Sequence, residues 1–205
     1  MNIRIPDRVI VFDYGEVISV SQSEADRAAL VAVSGLEAGL FWELYDRYRE
    51  DLDQGLTLPR EYWSLIARDA GVEWGPSQLQ MLWAADIRSW ISVEPGTIEL
   101  LAELHAGGTR VALLSNAGFD FSDPFRYSPM AAYFEAMFVS AELALVKPDP
   151  EIYRVTAREL GIALEQMVFI DNKKINVDAA TALGVTGHVF TSVAELRVFL
   201  ESLAS

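Results

Sequence analysis

Five short, mainly apolar segments are predicted to be β-strands. The first of them, Val9–Phe12, consists only of β-branched and aromatic residues and has no helical period, which indicates a buried strand. The other segments lie further along the chain: Val111–Leu114, a stretch near Met137–Val139, Met167–Ile170 and Val185–Phe190. Polar residues or glycines flank these segments, so each is short and has well-defined ends.

Helical periodicity fills the segment from Ser21 to Trp90. Apolar residues recur there at helical spacing, for example Phe41, Leu44 and Tyr48. Glycines interrupt the pattern and predict about four helices: Gly35, Gly55, Gly71 and Gly75. All five tryptophans fall in this segment, which favours a small bundle packed around large side chains.

After Pro95 the predicted strands alternate with helices. One helix spans Thr97–Ala106, a second begins after Asp149 and ends at Gly161, a third ends at Gly184, and Ser192 caps the last. Strands joined by helices imply right-handed crossovers and a parallel sheet covered on both faces. We therefore predict an α/β fold, with residues 1–20 and 91–205 forming a core domain and residues 21–90 an inserted helical domain.

Composition restricts the partners and the compartment. The chain has 205 residues, a formal charge of −14 with scattered acidic residues, and no cysteine. Such a charge disfavours nucleic acid and anionic membranes as partners, and the lack of cysteine excludes disulfides and thiolate metal sites. The amino-terminus lacks a signal-like apolar region, and no apolar run is long enough to span a bilayer. We expect a cytoplasmic protein. Its oligomeric state is not readable from the sequence.

Polar residues follow three predicted strands and should share one edge of the sheet. They are Asp13, the pair Ser115-Asn116 and the pair Asp171-Asn172. Of the three lysines in the chain, Lys147 precedes a helix between the last two strands. Two carboxylates, a hydroxyl and a lysine are what phosphoryl transfer through an aspartyl-phosphate requires, because Mg²⁺ prefers oxygen ligands and a lysine offsets developing charge.

Four motifs in order make the chain resemble the haloacid-dehalogenase-like hydrolase superfamily over nearly its whole length. They are Phe12–Ile18, Leu113–Asn116, Val146–Tyr153, and Phe169–Asn172 with Asn176-Val177 and Ala179-Ala180. The resemblance implies a Rossmann-like sheet of strand order 5-4-1-2-3, with the helical insertion as a cap over the site. It also implies Asp13 as nucleophile, Ser115 as phosphate binder, Lys147 as charge stabiliser and Asp171 as metal ligand.

We extend these roles to the neighbouring residues. Asn116 is predicted to join Ser115 and Lys147 in binding phosphate. Mg²⁺ is predicted to be bound by Asp13, Gly15, Asp171 and Asn172, with Gly15 contributing its backbone carbonyl.

The chain departs from the family pattern at three positions. Gly15 stands where related phosphatases usually carry a second aspartate that transfers protons, although a glycine also occurs in a branch of sugar-phosphate phosphatases. Asn172 replaces the usual second aspartate of the fourth motif, and Ala144 replaces a glycine. Glu16 is the nearest substitute carboxylate for Gly15, but its side chain should point away if the strand geometry persists.

The leading functional hypothesis is a Mg²⁺-dependent phosphatase of a small phosphorylated metabolite such as a sugar phosphate. A haloacid dehalogenase, in which the aspartate attacks carbon without a metal, fits less well because Asp171 is retained. The third hypothesis is a slow or inactive phosphate-binding or partner-binding protein, motivated by Gly15 and Asn172 together.

Five other charged or titratable residues are interpreted as structural or solvated. His105 and His188 have no metal-like partner spacing. Lys173 and Lys174 are expected to solvate a helix start, although they could raise the potential near a phosphate. Arg47 could bind a substrate anion, but a solvated helix face is the favoured interpretation.

Overall fold

The structure, a computed structural model, describes residues 2–204 and is built around a five-stranded parallel sheet. The order across the sheet is β3-β2-β1-β4-β5, which confirms the predicted order. The strands are β1 (Val9–Phe12), β2 (Arg110–Ser115), β3 (Ala136–Val139), β4 (Met167–Asp171) and β5 (Thr186–Val189). The fifth strand is shorter than predicted.

The register of the central strands brings the predicted site residues to one edge. Phe12 at the end of β1 pairs with Leu113 on one side and with Ile170 on the other. Asp13 therefore lies beside Asp171, which ends β4, and the backbone N–H of Asp13 donates to the carbonyl of Ile170 at 2.8 Å. The prediction that the two acids follow adjacent strands is confirmed.

Eleven α-helices are found among residues 2–204. They are α1 (Glu24–Ser34), α2 (Ala38–Arg47), α3 (Arg49–Asp53), α4 (Pro59–Ala70), α5 (Pro76–Trp90), α6 (Pro95–Ala106), α7 (Ser122–Arg126), α8 (Ser140–Leu143), α9 (Pro150–Glu159), α10 (Lys174–Thr181) and α11 (Val193–Leu203). Short 3₁₀ turns occur at Phe119–Phe121, Pro129–Tyr133 and Leu164–Gln166.

Hydrophobic clusters cover both faces of the sheet. Leu101 of α6 and Leu196 of α11 pack in the cluster on one face, with Ile10 and Phe12 of β1. Tyr153 of α9 packs in the cluster on the other face. All four residues of β1 are buried, because the alternating side chains of this central strand meet apolar partners on both sides.

The helices α1 to α5, called the helical insertion below, form a third hydrophobic cluster around Trp63 and Phe41. The insertion contains five helices, whereas about four were predicted, because the backbone at Tyr48 separates α2 from the short α3. Four of the five tryptophans pack in this cluster, whereas Trp90 packs against the cluster of the sheet.

Two antiparallel linker segments join the helical insertion to the sheet. Ser19 and Val93 form a β-bridge, and the N–H of Val20 donates to the carbonyl of Ser92 at 2.9 Å. Within residues 2–204 no single helix is both long and apolar enough to cross a membrane, and only the bent pair α1 and α2 reaches that length and composition together.

Candidate active site

A buried lysine lies between two carboxylates at the carboxyl edge of the sheet. Lys147 Nζ donates to Asp13 Oδ1 at 2.6 Å, to Asp171 Oδ2 at 2.8 Å and to the carbonyl of Leu114 at 2.9 Å. All three protons of the ammonium therefore have acceptors, which makes the burial of this charge tolerable. The structure brings together three of the residues that the sequence assigned to catalysis and metal binding.

Asn116 holds the backbone that carries Lys147. Its Oδ1 accepts from the N–H of Lys147 at 2.8 Å, and its Nδ2 donates to the carbonyl of Lys147 at 2.9 Å. The side chain of Asn116 therefore positions the lysine. Phosphate binding by Asn116 stays a prediction.

Asp171 is held in place by two further donors. Its Oδ1 accepts from the backbone N–H of Lys173 at 2.7 Å, and its Oδ2 accepts from Asn176 Nδ2 at 2.9 Å. Asn176 was present in the fourth motif, but its position on the first turn of α10 and its contact with Asp171 were not predicted. The signal was an amide five residues after the acid, close to the start of a helix.

Burial and neighbouring opposite charges shift the pKa values of Asp13 and Lys147 in opposite directions. Burial raises the pKa of Asp13 to about 6, Lys147 opposes the shift, and the neighbouring Asp171 adds to it. Burial alone would lower the pKa of Lys147, but the two carboxylates outweigh burial and raise it. Lys147 is therefore a fixed positive charge beside a carboxylate whose pKa is about 6.

Asp13, Ser115 and Lys147 line one cavity of about 260 Å³. The cavity lies between the sheet edge and the helical insertion, and Ser115, which lines it, is buried. Gly15, Asn116 and Asn172 line the same cavity, so every predicted site residue except the fully buried Asp171 reaches its wall.

Glu16 corrects one expectation from the sequence. The chain turns directly after Asp13, and Glu16 adopts a left-handed backbone conformation with φ 58°. Its side chain therefore does not point away from the site: it lines the cavity, and its Oε2 accepts from Asn172 Nδ2 at 2.7 Å.

The oxygen atoms at this edge suit a hard divalent cation. Asn172 Oδ1 is buried and has no hydrogen-bond partner among the described residues, so it is a neutral oxygen available as a ligand. The carboxylates of Asp13 and Asp171 lie on either side of Lys147. No group of three or more acidic, histidine or cysteine side chains spaced for a metal occurs in residues 2–204, so a cation at this edge would depend on amide, backbone and substrate oxygens beside the two carboxylates, a donor set that Mg²⁺ accepts.

Arg49, rather than Arg47, faces the cavity from the helical insertion. Arg47 is half-exposed and pairs with Glu43 at 2.7 Å, which agrees with a solvated helix face. Arg49 donates to Asp53 at 3.0 Å and to Asp86 at 3.2 Å. The missed signal was the spacing of Arg49 and Asp53 on one helical turn.

The other candidate residues take structural or surface positions. His188 stacks on the ring of Phe199 with 4.3 Å between centroids, and His105 is exposed; neither lines the cavity. Lys174 pairs with Asp178 at 2.6 Å on the surface. Lys173 is exposed but does line the cavity.

These elements are those of a haloacid dehalogenase-like hydrolase. The sequence pattern of that family matches residues 8–184, and the chain belongs to it.

A curated relative agrees with this membership. A phosphoglycolate phosphatase of Salmonella paratyphi A is 32% identical over 91 residues, which cover 44% of this chain and 36% of the relative. The match thus spans about a third of that relative's own length.

Two solved structures share the fold. A HAD family enzyme of Bacteroides thetaiotaomicron, in complex with magnesium and inorganic phosphate, superimposes with a TM-score of 0.73 at 22% identity, covering 92% of this chain and 98% of that one. The L-2-haloacid dehalogenase of Xanthobacter autotrophicus superimposes with a TM-score of 0.65 at 18% identity, covering 88% and 76%.

Proposed function

We propose that this hydrolase is a Mg²⁺-dependent phosphomonoesterase that acts through an aspartyl-phosphate. The observation that carries the proposal is the contact of Lys147 with both Asp13 and Asp171 at 2.6 and 2.8 Å, in a cavity that Ser115 also lines. One carboxylate faces the cavity, a fixed cation neutralises it, and a hydroxyl lies beside it, which are the parts that phosphoryl transfer needs.

In the first step, an Asp13 carboxylate oxygen attacks phosphorus and the bond from phosphorus to the ester oxygen breaks. The ester oxygen leaves with the bonding electron pair and takes up a proton from water, which gives the alcohol. Ser115 binds the phosphoryl oxygens, the positive charge of Lys147 offsets the charge that develops on them, and Lys147 holds Asp13 in place.

In the second step, water attacks the aspartyl-phosphate. The bond between Asp13 and the phosphoryl group breaks, inorganic phosphate leaves, and the carboxylate is restored. Gly15 offers no side chain to donate the first proton or to accept one from this water. Substrates with good leaving groups should therefore react faster than alkyl phosphates.

Asp13, Asp171, Asn172 and the backbone carbonyl of Gly15 would hold the magnesium ion. When bound, the ion supplies positive charge that offsets the phosphate's negative charge and orients the phosphate. The unpartnered Oδ1 of Asn172 supports this ligand set.

The cavity supports a small phosphorylated metabolite as substrate. Its volume of about 260 Å³ fits a compact molecule, and the walls combine aromatic residues such as Tyr14 and Phe125 with polar residues of the helical insertion. That insertion would act as the cap that excludes water. The net charge of −14 argues against nucleic acid and anionic membranes as partners.

The second candidate function is dehalogenation, in which Asp13 attacks a carbon that carries a halogen. The fold that this chain shares with the L-2-haloacid dehalogenase is compatible with it. That reaction releases halide and needs no cation. The buried Asp171 and the unpartnered Asn172 oxygen favour the phosphatase instead, because cation-binding oxygens have no task in halide displacement.

The decisive experiment is a panel of phosphorylated metabolites and L-2-haloacids assayed with Mg²⁺ and with EDTA. Phosphate release that requires Mg²⁺ supports the proposal. Halide release in EDTA would select the dehalogenase. Tight phosphate-ester binding without release of either product would identify a binding protein and overturn the proposed activity.

A further inference from the structure

The carboxylate of Glu16 links a proposed metal ligand to the start of the helical insertion. Its Oε2 accepts from Asn172 Nδ2 at 2.7 Å, and its Oε1 accepts from Ser21 Oγ at 2.7 Å. The left-handed backbone of Glu16, with φ 58°, brings the side chain back toward the fourth strand end. Non-glycine residues rarely adopt this conformation, so the arrangement is costly and needs compensating contacts.

The chemistry of the two side chains determines which way the Asn172 amide faces. An amide has an oxygen that accepts and a nitrogen that donates, whereas an ionised carboxylate only accepts. Beside Glu16, the nitrogen of Asn172 must therefore face the carboxylate. The oxygen faces the opposite way, where it is buried and has no partner among residues 2–204.

We propose that Glu16 is a positioning residue that orients Asn172 so that Oδ1, and not the NH₂ group, faces the divalent cation. This inference rests on the proposed function only in its assignment of a cation to the site. An asparagine in the reversed orientation would present two N–H donors to the cation and would repel it. A symmetrical aspartate at the same position would not need an orienting partner.

Both oxygens of Glu16 accept hydrogen bonds in this arrangement, so the geometry supports positioning rather than proton transfer. The bond to Ser21 ties the same carboxylate to the linker that leads into α1. Residues that hold a metal ligand by its second polar atom typically change metal affinity about 10- to 100-fold when removed.

The test measures Mn²⁺ binding to the substrate-free protein by electron paramagnetic resonance, with Mn²⁺ as the probe. Four proteins form a double-mutant cycle: wild type, Glu16→Ala, Asn172→Asp and the double variant. We expect Glu16→Ala to weaken Mn²⁺ binding about 10-fold or more in the wild-type background. In the Asn172→Asp background the same change should cost nothing or increase affinity, because a carboxylate needs no orientation and loses a like-charged neighbour.

Two control variants separate orientation from charge and folding. Glu24→Ala removes an exposed carboxylate from the first turn of α1 and should leave Mn²⁺ affinity unchanged. Glu16→Gln keeps an oxygen that can accept from Asn172, so it should restore a large part of the affinity lost in Glu16→Ala. Thermal unfolding of each variant checks the fold.

An equal loss of affinity in both backgrounds would assign Glu16 a general electrostatic or structural role and overturn the inference. Unchanged affinity in Glu16→Ala, or no Mn²⁺ binding by wild type, would also overturn it. A wild type that binds Mn²⁺ with this coupling but hydrolyses no phosphate ester would refute the proposed function and leave the inference standing.

Discussion

The cavity is bordered by two cations that each lie between two carboxylates, one on the sheet and one in the helical insertion. Lys147 contacts Asp13 and Asp171, with side-chain exposures of 1%, 10% and 0% respectively. Arg49 contacts Asp53 and Asp86, with exposures of 20%, 15% and 4%. The two groups have the same formal charges, but they differ in what they leave available for a substrate.

In the lysine group, one carboxylate oxygen of Asp13, Oδ2, does not contact Lys147. The ammonium of Lys147 has three protons, and each has an acceptor that belongs to the sheet. Its contact with Asp13 uses Oδ1 only, and Asp13 lines the cavity. A lysine is a compact point charge, which suits a site where charge develops and moves during a reaction.

The arginine group fixes the insertion. Arg49 uses its planar guanidinium to join Asp53 on α3 with Asp86 on α5, and it also donates to Tyr45 OH at 2.9 Å. Tyr45 OH in turn donates to Asp86 at 2.6 Å. The ion pairs and the hydrogen bond of Arg49 thus connect three helices, α2, α3 and α5. The same charge pattern serves architecture there and, in the proposed function, chemistry at the sheet.

The largest expected effect is the loss of activity when the proposed nucleophile, Asp13 of the lysine group, is replaced. Asp13→Asn keeps the shape of the side chain but replaces the attacking carboxylate, so Mg²⁺-dependent phosphate release should fall by about 10⁴-fold or more. Steady-state assays with an aryl phosphate measure the loss. Asp46→Asn, which alters an exposed carboxylate on the insertion side of the cavity, should reduce the rate less than tenfold. Retained activity in Asp13→Asn would remove Asp13 from the mechanism.

The next largest effect concerns the cation of the sheet. Lys147→Met should lower the rate of phosphate release by about 10²–10³-fold, because the positive charge beside the developing negative charge is lost. Breaking a buried ion pair also costs about 3–5 kcal/mol in the free energy of unfolding. That loss should shrink below pH 6, where Asp13 becomes protonated and no longer needs the cation.

Urea unfolding of Lys147→Met and wild type at pH 5 and pH 8 checks the stability part of this prediction. Lys173→Met is the matched control, since Lys173 is exposed at the same cavity and should change neither quantity strongly. A loss of stability that does not depend on pH would contradict the assignment of Lys147 as the counter-charge of Asp13.

A gain of function is expected at Gly15. A Cβ atom built on Gly15 meets no atom within 4 Å, and its backbone does not adopt a positive φ, so an aspartate fits. Gly15→Asp should raise the turnover of alkyl phosphates by up to about 10²-fold and change that of aryl phosphates less, because only poor leaving groups need a general acid.

Gly15→Asn is the matched control for this gain, because it adds the same volume without an acid. Comparing steady-state rates on both leaving-group classes in the three proteins is the measurement. Fast alkyl-phosphate turnover by wild type, unchanged or reduced in Gly15→Asp, would show that another group supplies the proton.

The fold was largely predictable from the sequence because its signals are local. Runs such as Val9–Phe12 and the cap at Asp149 depend on neighbouring residues, and the strand order followed from the resemblance. The bounds were less accurate where a backbone angle decides them: Tyr48 divides two helices without a glycine. Ala144 ends α8 with φ 53°, a conformation that usually favours glycine.

The candidate site was predictable in its residues but not in its contacts. Asp13, Lys147 and Asp171 followed from their positions after strands and in the motifs. The roles of Glu16 and Arg49 did not, because they depend on a turn and on the packing of one helix against another. The sequence spacing suggested that Glu16 points away, and only the left-handed backbone at that residue reverses its direction.

The smallest expected effect is a change in how the stability of the arginine group depends on pH. Burial raises the pKa of Asp53, and Arg49 only partly opposes the shift. A carboxyl whose pKa is higher in the folded state binds its proton more tightly there, so its ionisation destabilises the fold as pH rises from about 4 through the raised pKa. Asp53→Asn removes this ionisation, and Asp86 still pairs with Arg49. The melting temperature of the variant relative to wild type should therefore be higher at pH 7.5 than at pH 4.5.

Asp51→Asn is the matched control, because it replaces an exposed carboxylate on the same short helix, and it should show no such trend. A difference that falls with rising pH would mean that Arg49 stabilises ionised Asp53 more than burial destabilises it, and the insertion group would then resemble a salt bridge that gains stability by ionising.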